Sequence, residues 1–454
     1  MRGSWQLWGA SGLIVVGVAG CMLAPDGYDE ERELAEAAGE PYEAAVSERV
    51  LPEIGEQPTW RELLARAFAA NGELEAAYFE WRAALERVQQ VAGWPNTSLM
   101  PSFSTMFSDG SMTAWDRSTI SLGFDGSENL EFPVKTRKAA EVALAEAQAA
   151  GERFRAAKFT LQRQVLDAWL DLTLAEERLR LARADLELLR VVAATAAPRV
   201  ESGGPQSELI RAEIEVREAE NRVLSLEAEA RALRAALNGQ LAREPGAPLG
   251  IGDALPEPRA LPEDDAAVLA LGVEANPELA ALVNQISGRE NALELARLMY
   301  LPNINPFAAL TGGISRMLGL AVMLPTNLPE IRGGIAEARA MLAEARAMER
   351  QTRLDRASRF VAALLVLRNS AREAELFNNS VLPAAQLMAD TMEQSYSAGR
   401  TDLTALIETQ RMLLEVRLVV AEARIERERR AAEIEQLAGI DLETISPERE
   451  RSNP

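Results

Sequence analysis

The sequence contains no histidine, and Cys21 is the only cysteine among its 454 residues. Without histidine there can be no Ser-His-Asp or Cys-His nucleophile pair and no histidine-ligated zinc or haem. A single cysteine permits neither an intramolecular disulfide nor a CxxC metal site. We therefore expect that the chain is not an enzyme, with no catalytic residues, no bound metal and no cofactor.

Lysine is also scarce, and acidic residues outnumber basic ones. Lys135, Lys138 and Lys158 are the only lysines, and the formal net charge is −21. A protein that binds nucleic acid needs a basic face to neutralise phosphates, so we expect no nucleic-acid partner. Aromatic residues make up only 5%, whereas Ala, Leu, Glu and Arg dominate. That composition is typical of long helices and coiled coils.

Residues 1–20 have the pattern of a secretion signal. Arg2 supplies a positive charge, and the apolar stretch 13–18 is too short to cross a bilayer as a helix. Small residues precede Cys21, as in a bacterial lipobox, which predicts that Cys21 becomes a lipidated N-terminus anchored in the outer membrane. The alternative is a chance cysteine beside an ordinary signal peptide. The acidic, proline-containing segment 21–57 is then a lipid-anchored tether, or a strap on the outside of the body.

The rest of the sequence contains two copies of one unit. Two pairs of motifs recur at the same offset of 196 residues, as Phe132-Pro133 with Leu328-Pro329 and as 200–203 with 396–399. A period this long lies far beyond ordinary short solenoid repeats. We predict a first repeat over 58–245, a second over 246–440, and a polar C-terminal tail over 441–454.

Each repeat is predicted to contain a pair of long helices joined at a glycine turn. The segment 136–197 holds one glycine and no proline, and its roughly sixty residues would extend about 90 Å as a helix. Pro383 should interrupt the equivalent helix of the second repeat. Both return helices carry apolar seams near the coiled-coil period. The seams are Ala212, Val216, Ala219, Val223, Leu226, Ala230, Leu233 and Leu237, and then Ala405, Thr409, Met412, Val416, Val419 and Ala423.

Two strand pairs are predicted at equivalent positions, about 97–125 and about 303–324. In the first pair, apolar Ile120, Leu122 and Phe124 alternate with Thr119, Ser121 and Asp125. This alternation fits a half-buried soluble sheet, or a membrane barrel with the apolar set facing lipid and the polar set facing a water-filled lumen. Four strands cannot close a barrel, because small barrels begin near eight strands, so a barrel would require several chains.

These features together resemble the TolC family of outer-membrane efflux channels, over roughly residues 58–440. The stretch 396–410 is similar to the family's Y-x-x-G-x-x-x-x-x-x-L-L-x-x-Q sequence. The stretches 199–203 and 207–212 resemble its partner in the first repeat, although Val200 stands where the second repeat has Tyr396. The branch resembled most is the lipoprotein outer component of heavy-metal and multidrug systems.

The resemblance implies a mainly α-helical homotrimer with a small β part. Three chains would close a twelve-stranded outer-membrane barrel above a hollow periplasmic α-helical tunnel. The channel would passively conduct substrate delivered by an inner-membrane pump and a periplasmic adaptor protein. The hairpin tips, near 198–206 and 396–402, would form the periplasmic end, where the adaptor docks and the coiled coils dilate.

The candidate tip residues for adaptor contact or gating follow from the same resemblance. They are Arg199, Glu201, Gly203, Tyr396, Gly399, Arg400, Asp402 and Leu403. For each charged member, the alternative is a solvated charge on a turn. The competing interpretation of the whole chain is a lipid-anchored periplasmic coiled-coil spacer without a pore. A spacer accounts for the long helices and the lipobox but not for two strand pairs at equivalent positions.

Overall fold

A computed structural model of the chain describes residues 23–93, 99–107, 112–124, 131–201, 206–251, 259 and 275–441. Helices dominate, and four strands form one antiparallel sheet. The elements in chain order are α1 (Tyr28–Gly39), α2 (Trp60–Ala70), α3 (Gly72–Ala92), β1 (Leu99–Thr105), β2 (Ser118–Phe124), α4 (Pro133–Glu201), α5 (Gln206–Gln240), α6 (Pro277–Leu298), β3 (Asn303–Thr311), β4 (Ser315–Met323), α7 (Leu328–Leu376), α8 (Leu382–Ser397) and α9 (Leu403–Ala438).

The chain divides into two compact units. Of the described residues, the first unit holds 23–40, 77–154 and 278–352, and it contains the whole sheet. The second unit holds 41–76, 155–277 and 353–441 within the described ranges, and it contains the α8–α9 hairpin. Among the helices that the structure describes, none is both long enough and apolar enough to cross a membrane.

The sheet joins the strand pairs of the two repeats in the order β1-β2-β3-β4. β2 pairs with β3 from Thr119 opposite Thr311 to Gly123 opposite Phe307. Both hairpins are where the sequence predicts them. At the β3–β4 turn, Gly312 has φ +48, and a Cβ there would lie 2.7 Å from the carbonyl oxygen of Trp115. Only glycine fits both that backbone conformation and that close approach.

The long helices follow the proline positions. α4 begins at Pro133, where the missing N–H costs nothing, and it runs for 69 residues. In the second repeat, α7 ends at Leu376, and a π-helical segment, Phe377–Val381, separates it from α8. Pro383 lies in the first turn of α8. A proline ring clashes with the carbonyl four residues earlier, and this explains a widened turn just before it. The predicted interruption is confirmed.

One of the two predicted seams is correct. In α5, Ala212, Ala219, Ala230 and Leu237 are all buried. In α9 the prediction is only partly confirmed, because Thr409 is fully buried, the other five members are half-buried, and Met412 and Val416 pack on a core shared with α8. The large apolar side chains that α9 buries are Leu406, Ile407, Leu413, Val420, Ile425, Ile434 and Leu437. The cause is that α9 packs on α4, α5, α7 and α8 along its length, so that its buried arc is wider than a single coiled-coil seam.

The acidic N-terminal segment is packed in its first half. In the first unit, Trp81 donates a 2.9 Å hydrogen bond from Nε1 to Glu31, and Gln89 donates one of 2.7 Å to the hydroxyl of Tyr28. Gly39 lies against the ring of Tyr78 with no space for a Cβ. Residues 28–39 therefore form a helical strap, whereas Cys21 lies outside the described residues.

Candidate functional site: the two-faced sheet and the α8–α9 turn

The register of the sheet separates apolar from polar side chains. Directly opposed residues in an antiparallel pair share a face, so the register assigns every described strand residue to one side. The apolar face carries Pro101, Phe103, Ile120, Leu122, Ile304, Pro306, Ala308, Leu310, Leu318, Leu320 and Val322, and at the end beside the β3–β4 turn it also carries the polar residues Thr105, Ser118 and Arg316. The polar face carries Met100, Ser102, Ser104, Thr119, Ser121, Gly123, Asn303, Asn305, Phe307, Ala309, Thr311, Ser315, Met317, Gly319, Ala321 and Met323.

No second layer of the described chain covers the apolar face. Leu318 is 87% exposed, Phe103 67% and Leu320 57%. β4 is exposed at every position except Gly319, which is half-buried. A soluble sheet normally buries its apolar face against another layer. The exposed face therefore requires an apolar environment that this part of the chain does not supply.

The polar face is linked by hydroxyl hydrogen bonds between strands. The hydroxyls of Ser102 and Ser121 are 2.6 Å apart, and those of Thr119 and Thr311 are 3.0 Å apart. Thr119 and Ser121 thus lie together, opposite Ile120 and Leu122, as the alternation predicts. The other two members of the predicted sets, Asp125 and the side chain of Phe124, lie outside the described residues.

At the end of the sheet that carries the β3–β4 turn, one carboxylate links the two hairpins. Asp116 Oδ1 accepts a 3.0 Å hydrogen bond from the backbone N–H of Gly313, and its Oδ2 accepts one of 2.6 Å from Thr113. The Thr113 hydrogen bond first, and then that of Gly313, lower the pKa of the Asp116 carboxyl. Asp116 therefore ties the β1–β2 connection to the β3–β4 turn, and the sequence pattern did not indicate this link.

The α8–α9 turn is residues 398–402. Gly399 has φ +69. Its N–H donates to the carbonyl of Tyr396 at 2.9 Å, and the N–H of Arg400 donates to that of Ser395 at 2.8 Å. This pair of bonds is the Schellman motif, which ends a helix with a left-handed residue. The predicted glycine reversal of the second repeat is present, and the equivalent Gly203 lies outside the described residues.

The predicted tip residues have distinct surroundings. Asp402 is the N-cap of α9, and its Oδ1 accepts a 2.8 Å hydrogen bond from the N–H of Ala405. Tyr396 packs on a core formed by α4, α5 and α9, which includes Leu189, Ala219 and Leu406. Arg400 is exposed. The side chains of Arg199, Glu201 and Leu403 lie outside the described residues.

Behind this turn, charged groups are buried between helices. Arg411 of α9 forms an ion pair with Glu215 of α5, and Glu215 is only 9% exposed. Asp185 of α4 is 8% exposed, with Arg222 at 3.9 Å. Burial raises the pKa of Asp185, and Arg222 and Arg411 oppose that shift. In the sequence, Asp185 stands out as an acidic residue inside the apolar stripe of Leu181, Ala182, Leu186 and Leu189, a pattern that can indicate a buried charge.

Metal chemistry has no support in the described ranges, where no group of three or more Asp, Glu or Cys side chains could hold a metal ion. The arrangement instead offers a sheet with one apolar and one polar surface, and a helical hairpin with a capped turn. Neither feature positions reactive groups around a substrate. Both are suited to assembly.

No protein-family model matches the chain, and no curated protein matches its sequence. Solved structures do match it. The open-state outer membrane channel MtrE of Neisseria gonorrhoeae is 16% identical with a TM-score of 0.69, covering 84% of this chain and 89% of that one. The CmeC outer membrane channel of Campylobacter jejuni is 13% identical with a TM-score of 0.68, covering 84% and 85%.

CusC, whose structures concern folding and transmembrane channel formation, is 15% identical with a TM-score of 0.69 and covers 92% of this chain and 100% of that chain. The chain therefore has the fold of these outer-membrane channels. The helical fold with a small sheet that the TolC-family resemblance implies is confirmed.

Proposed function

We propose that the chain is the outer-membrane channel component of a tripartite efflux or secretion system. It passively conducts substrate from an inner-membrane pump and a periplasmic adaptor protein to the outside. The single observation that carries this proposal is the sheet, which has one exposed apolar face, one polar face and two open edges. Lipid on the apolar side and water on the polar side would satisfy both surfaces.

The energetics of the apolar face support a lipid environment. Removing a large apolar side chain from water contributes about 1.5–3 kcal/mol. Phe103, Ile120, Leu122, Leu318, Leu320 and Val322 are each more than 40% exposed on this one face. If all six stayed in contact with water, the protein would forgo several times this free energy of transfer. A bilayer core removes that cost without any further protein layer.

The open edges support assembly from three copies. β1 and β4 each have one paired neighbour within the described sheet, so their outer sides present unpaired backbone groups. Two copies would close eight strands, and a barrel of that size is filled by its own side chains. Three copies would close twelve strands and leave space for an aqueous path. A homotrimer is therefore the smallest closed assembly that can conduct.

The helices of the second unit also carry unmatched apolar surface. Ile210, Ile214 and Leu224 of α5 are exposed, and so are Leu354, Val361 and Leu365 of α7. The members of each set are separated by three, four or seven residues, or by a sum of these spacings. They therefore lie on one side of their helix. Neighbouring copies in a helical tunnel would cover both stripes, and this supports a periplasmic tunnel built from three chains.

The position of the N-terminus supports a lipid anchor at Cys21. In the first unit, the N–H of Leu23 donates a 3.0 Å hydrogen bond to the carbonyl of Ala92, the last residue of α3. β1 begins only seven residues later, at Leu99. Acyl chains on Cys21 would then start close to the base of the strands, where a membrane surface would lie. This supports residence in the outer membrane, with the helical part in the periplasm.

The α8–α9 turn is the proposed site of adaptor contact and gating. Arg400 and Asp402 are exposed on a turn held by backbone hydrogen bonds. A partner could therefore form ion pairs with them without unfolding the helix ends. Arg199, Glu201 and Gly203 are the proposed first-repeat counterparts. Tyr396, Gly399 and Leu403 would shape the turn itself.

The test combines the mass of the purified protein in detergent with single-channel conductance in planar bilayers. We expect a trimer that produces discrete conductance steps with cation preference, since the chain is strongly acidic. A heat-sensitive oligomer band in outer-membrane fractions should accompany it. A monomer without conductance would overturn the proposal and favour the spacer without a pore. If a trimer is silent, Arg400 and Asp402 variants that open the tip should restore conductance, and continued silence would reject the channel.

A further inference from the structure

One row across the sheet sets an aromatic ring between two glycines. Gly123 of β2 is opposite Phe307 of β3, and Phe307 is opposite Gly319 of β4. All three belong to the polar face. We refer to them as the Gly123–Phe307–Gly319 row.

The outer end of the Phe307 ring, formed by Cζ, Cε1 and Cε2, lies over Gly319. A Cβ on Gly319 would lie 2.6 Å from Cε1 and 3.0 Å from Cε2 of the Phe307 ring, closer than any real Cβ contact. On the other side, a Cβ on Gly123 would lie 3.3 Å from the Cβ of Phe307. The ring therefore occupies the space that a side chain at 319 would take. An aromatic side chain that covers a glycine on the neighbouring strand is a known way to stabilise a sheet.

This ring differs from its surroundings. Among the described strand residues of the polar face, Phe307 is the only aromatic one, and the others are small, polar or Met. Phe307 is 37% exposed although β4 is open to solvent along almost its whole length. Contact with Gly319, and not a covering layer, thus accounts for much of what the ring buries.

We infer that Gly319 is a positioning residue that holds the Phe307 ring against the sheet and thereby sets the width of the aqueous path. This inference rests on the proposed channel function, in which the polar face lines the lumen. In a threefold-symmetric twelve-stranded barrel, the three copies of the Phe307 ring would lie at one level. A side chain at position 319 would lift three rings away from the wall at that level and narrow the path.

The experiment compares single-channel conductance of the purified full-length protein with that of four variants. G319V should lower the conductance, by up to roughly twofold, because three lifted rings add a constriction in series with the tip. The double variant G319V/F307A should regain at least the wild-type conductance, since it has no ring to lift. F307A alone should leave conductance unchanged or raise it. A321V lies two residues along the same strand and on the same face, and it adds two methyl groups opposite Asn305 and not opposite the ring, so it should have the smaller effect.

A second readout does not depend on conduction. F307A should lower the thermal unfolding temperature in the wild-type background but much less in the G319V background, because the valine has already displaced the ring. If the wild-type trimer conducts but G319V and A321V act alike and F307A restores nothing, this inference is overturned while the channel stands. If the wild-type protein neither trimerises nor conducts, the proposed function fails, and the role of Gly319 in pore width fails with it.

Discussion

Arg259 shows how one residue can hold two buried carboxylates. Its Nε donates to Glu428 at 2.8 Å, and its Nη1 donates to both carboxylate oxygens of Glu435 at 2.9 and 3.0 Å. The guanidinium also lies over the ring of Trp60, with its carbon 5.7 Å from the centroid. Glu428 and Glu435 are almost fully buried on α9. Such carboxylates are tolerable only with a cation in place.

Replacing Arg259 should therefore be costly. We expect R259A to lower the free energy of unfolding by about 3 kcal/mol, because it removes a shared cation from two desolvated carboxylates, of which, among the described residues, Glu428 keeps only Arg427 at 2.6 Å. The matched control is R346A, since Arg346 pairs with Glu290 at 2.6 Å but both side chains are about half exposed. That variant should cost less than about 1 kcal/mol. Thermal and denaturant unfolding of the purified variants measure both, and equal losses would contradict the role assigned to Arg259.

Asp185 should make stability depend on pH. Its carboxyl is buried, which raises its pKa in the folded chain above the unfolded value. The folded state therefore binds this proton more readily, so the unfavourable contribution of Asp185 is absent below the unfolded pKa. It grows as the pH rises from the unfolded pKa to the folded pKa and is fully present above the folded pKa.

We accordingly expect D185N to stabilise the protein at pH 7, by about 1 kcal/mol, because asparagine avoids the burial of a charge. The gain should shrink as the pH is lowered towards 4. The control is D390N, at an exposed aspartate of α8, which should change stability little at any pH. Unfolding temperatures measured from pH 4 to pH 8 give the comparison. A gain that is constant over this range would show that the carboxyl charge is not the cause.

Single residues were the hardest to predict from the sequence. The alternation at 119–122 identified the two faces correctly, because a strand has a fixed period of two. Arg259 gave no such signal, and the position of Asp185 inside an apolar stripe could not show its partners, since the groups that surround both come from helices far along the chain. Long-range pairs between charged side chains leave no local pattern, and in a sequence so rich in Arg and Glu many pairings are equivalent.

At the scale of the element, helix ends were predictable and helix faces were less so. Pro133, Pro383 and Gly399 act on the backbone directly, so their positions alone mark where helices begin, widen or end. The seam of α9 was only partly confirmed because its buried arc depends on how many helices pack around it. That number is a property of the tertiary structure.

The α8–α9 turn gives the element-scale prediction. G399A should lower the free energy of unfolding by about 1 kcal/mol, because alanine is strained at φ +69. The control is G333A in α7, where a Cβ meets nothing within 4 Å and the backbone is helical. That substitution should instead stabilise by up to about 1 kcal/mol. Helical content and unfolding temperature measure both. Two changes of the same sign would contradict the assignment of Gly399 as a left-handed helix end.

For the whole molecule, the sequence could predict the need for several chains but not the surfaces that join them. Four strands in two alternating pairs are too few for a barrel, and that count was available from the start. Which edges remain open, and which stripes of α5 and α7 remain exposed, depended on the register and on helix packing. The resemblance to a family supplied the trimer, and the open sheet now supports it independently.

The two faces of β2 give the whole-molecule prediction. Leu122 is 41% exposed on the apolar face, and Ser121 lies next to it on the polar face. L122R should place a charge in lipid, which costs about 2–4 kcal/mol near the middle of a bilayer. We expect much less heat-sensitive trimer in outer-membrane fractions of cells that produce this variant.

S121R is the matched control, because it adds the same side chain one position away. Its charge would face water, so the trimer should assemble in nearly normal amounts. The loss of the 2.6 Å contact with Ser102 should have only a small effect on stability. The variant should instead reduce cation conductance, because three added positive charges would line the path. If L122R and S121R assemble equally well, the two faces do not separate lipid from water, and the barrel assignment must be rejected.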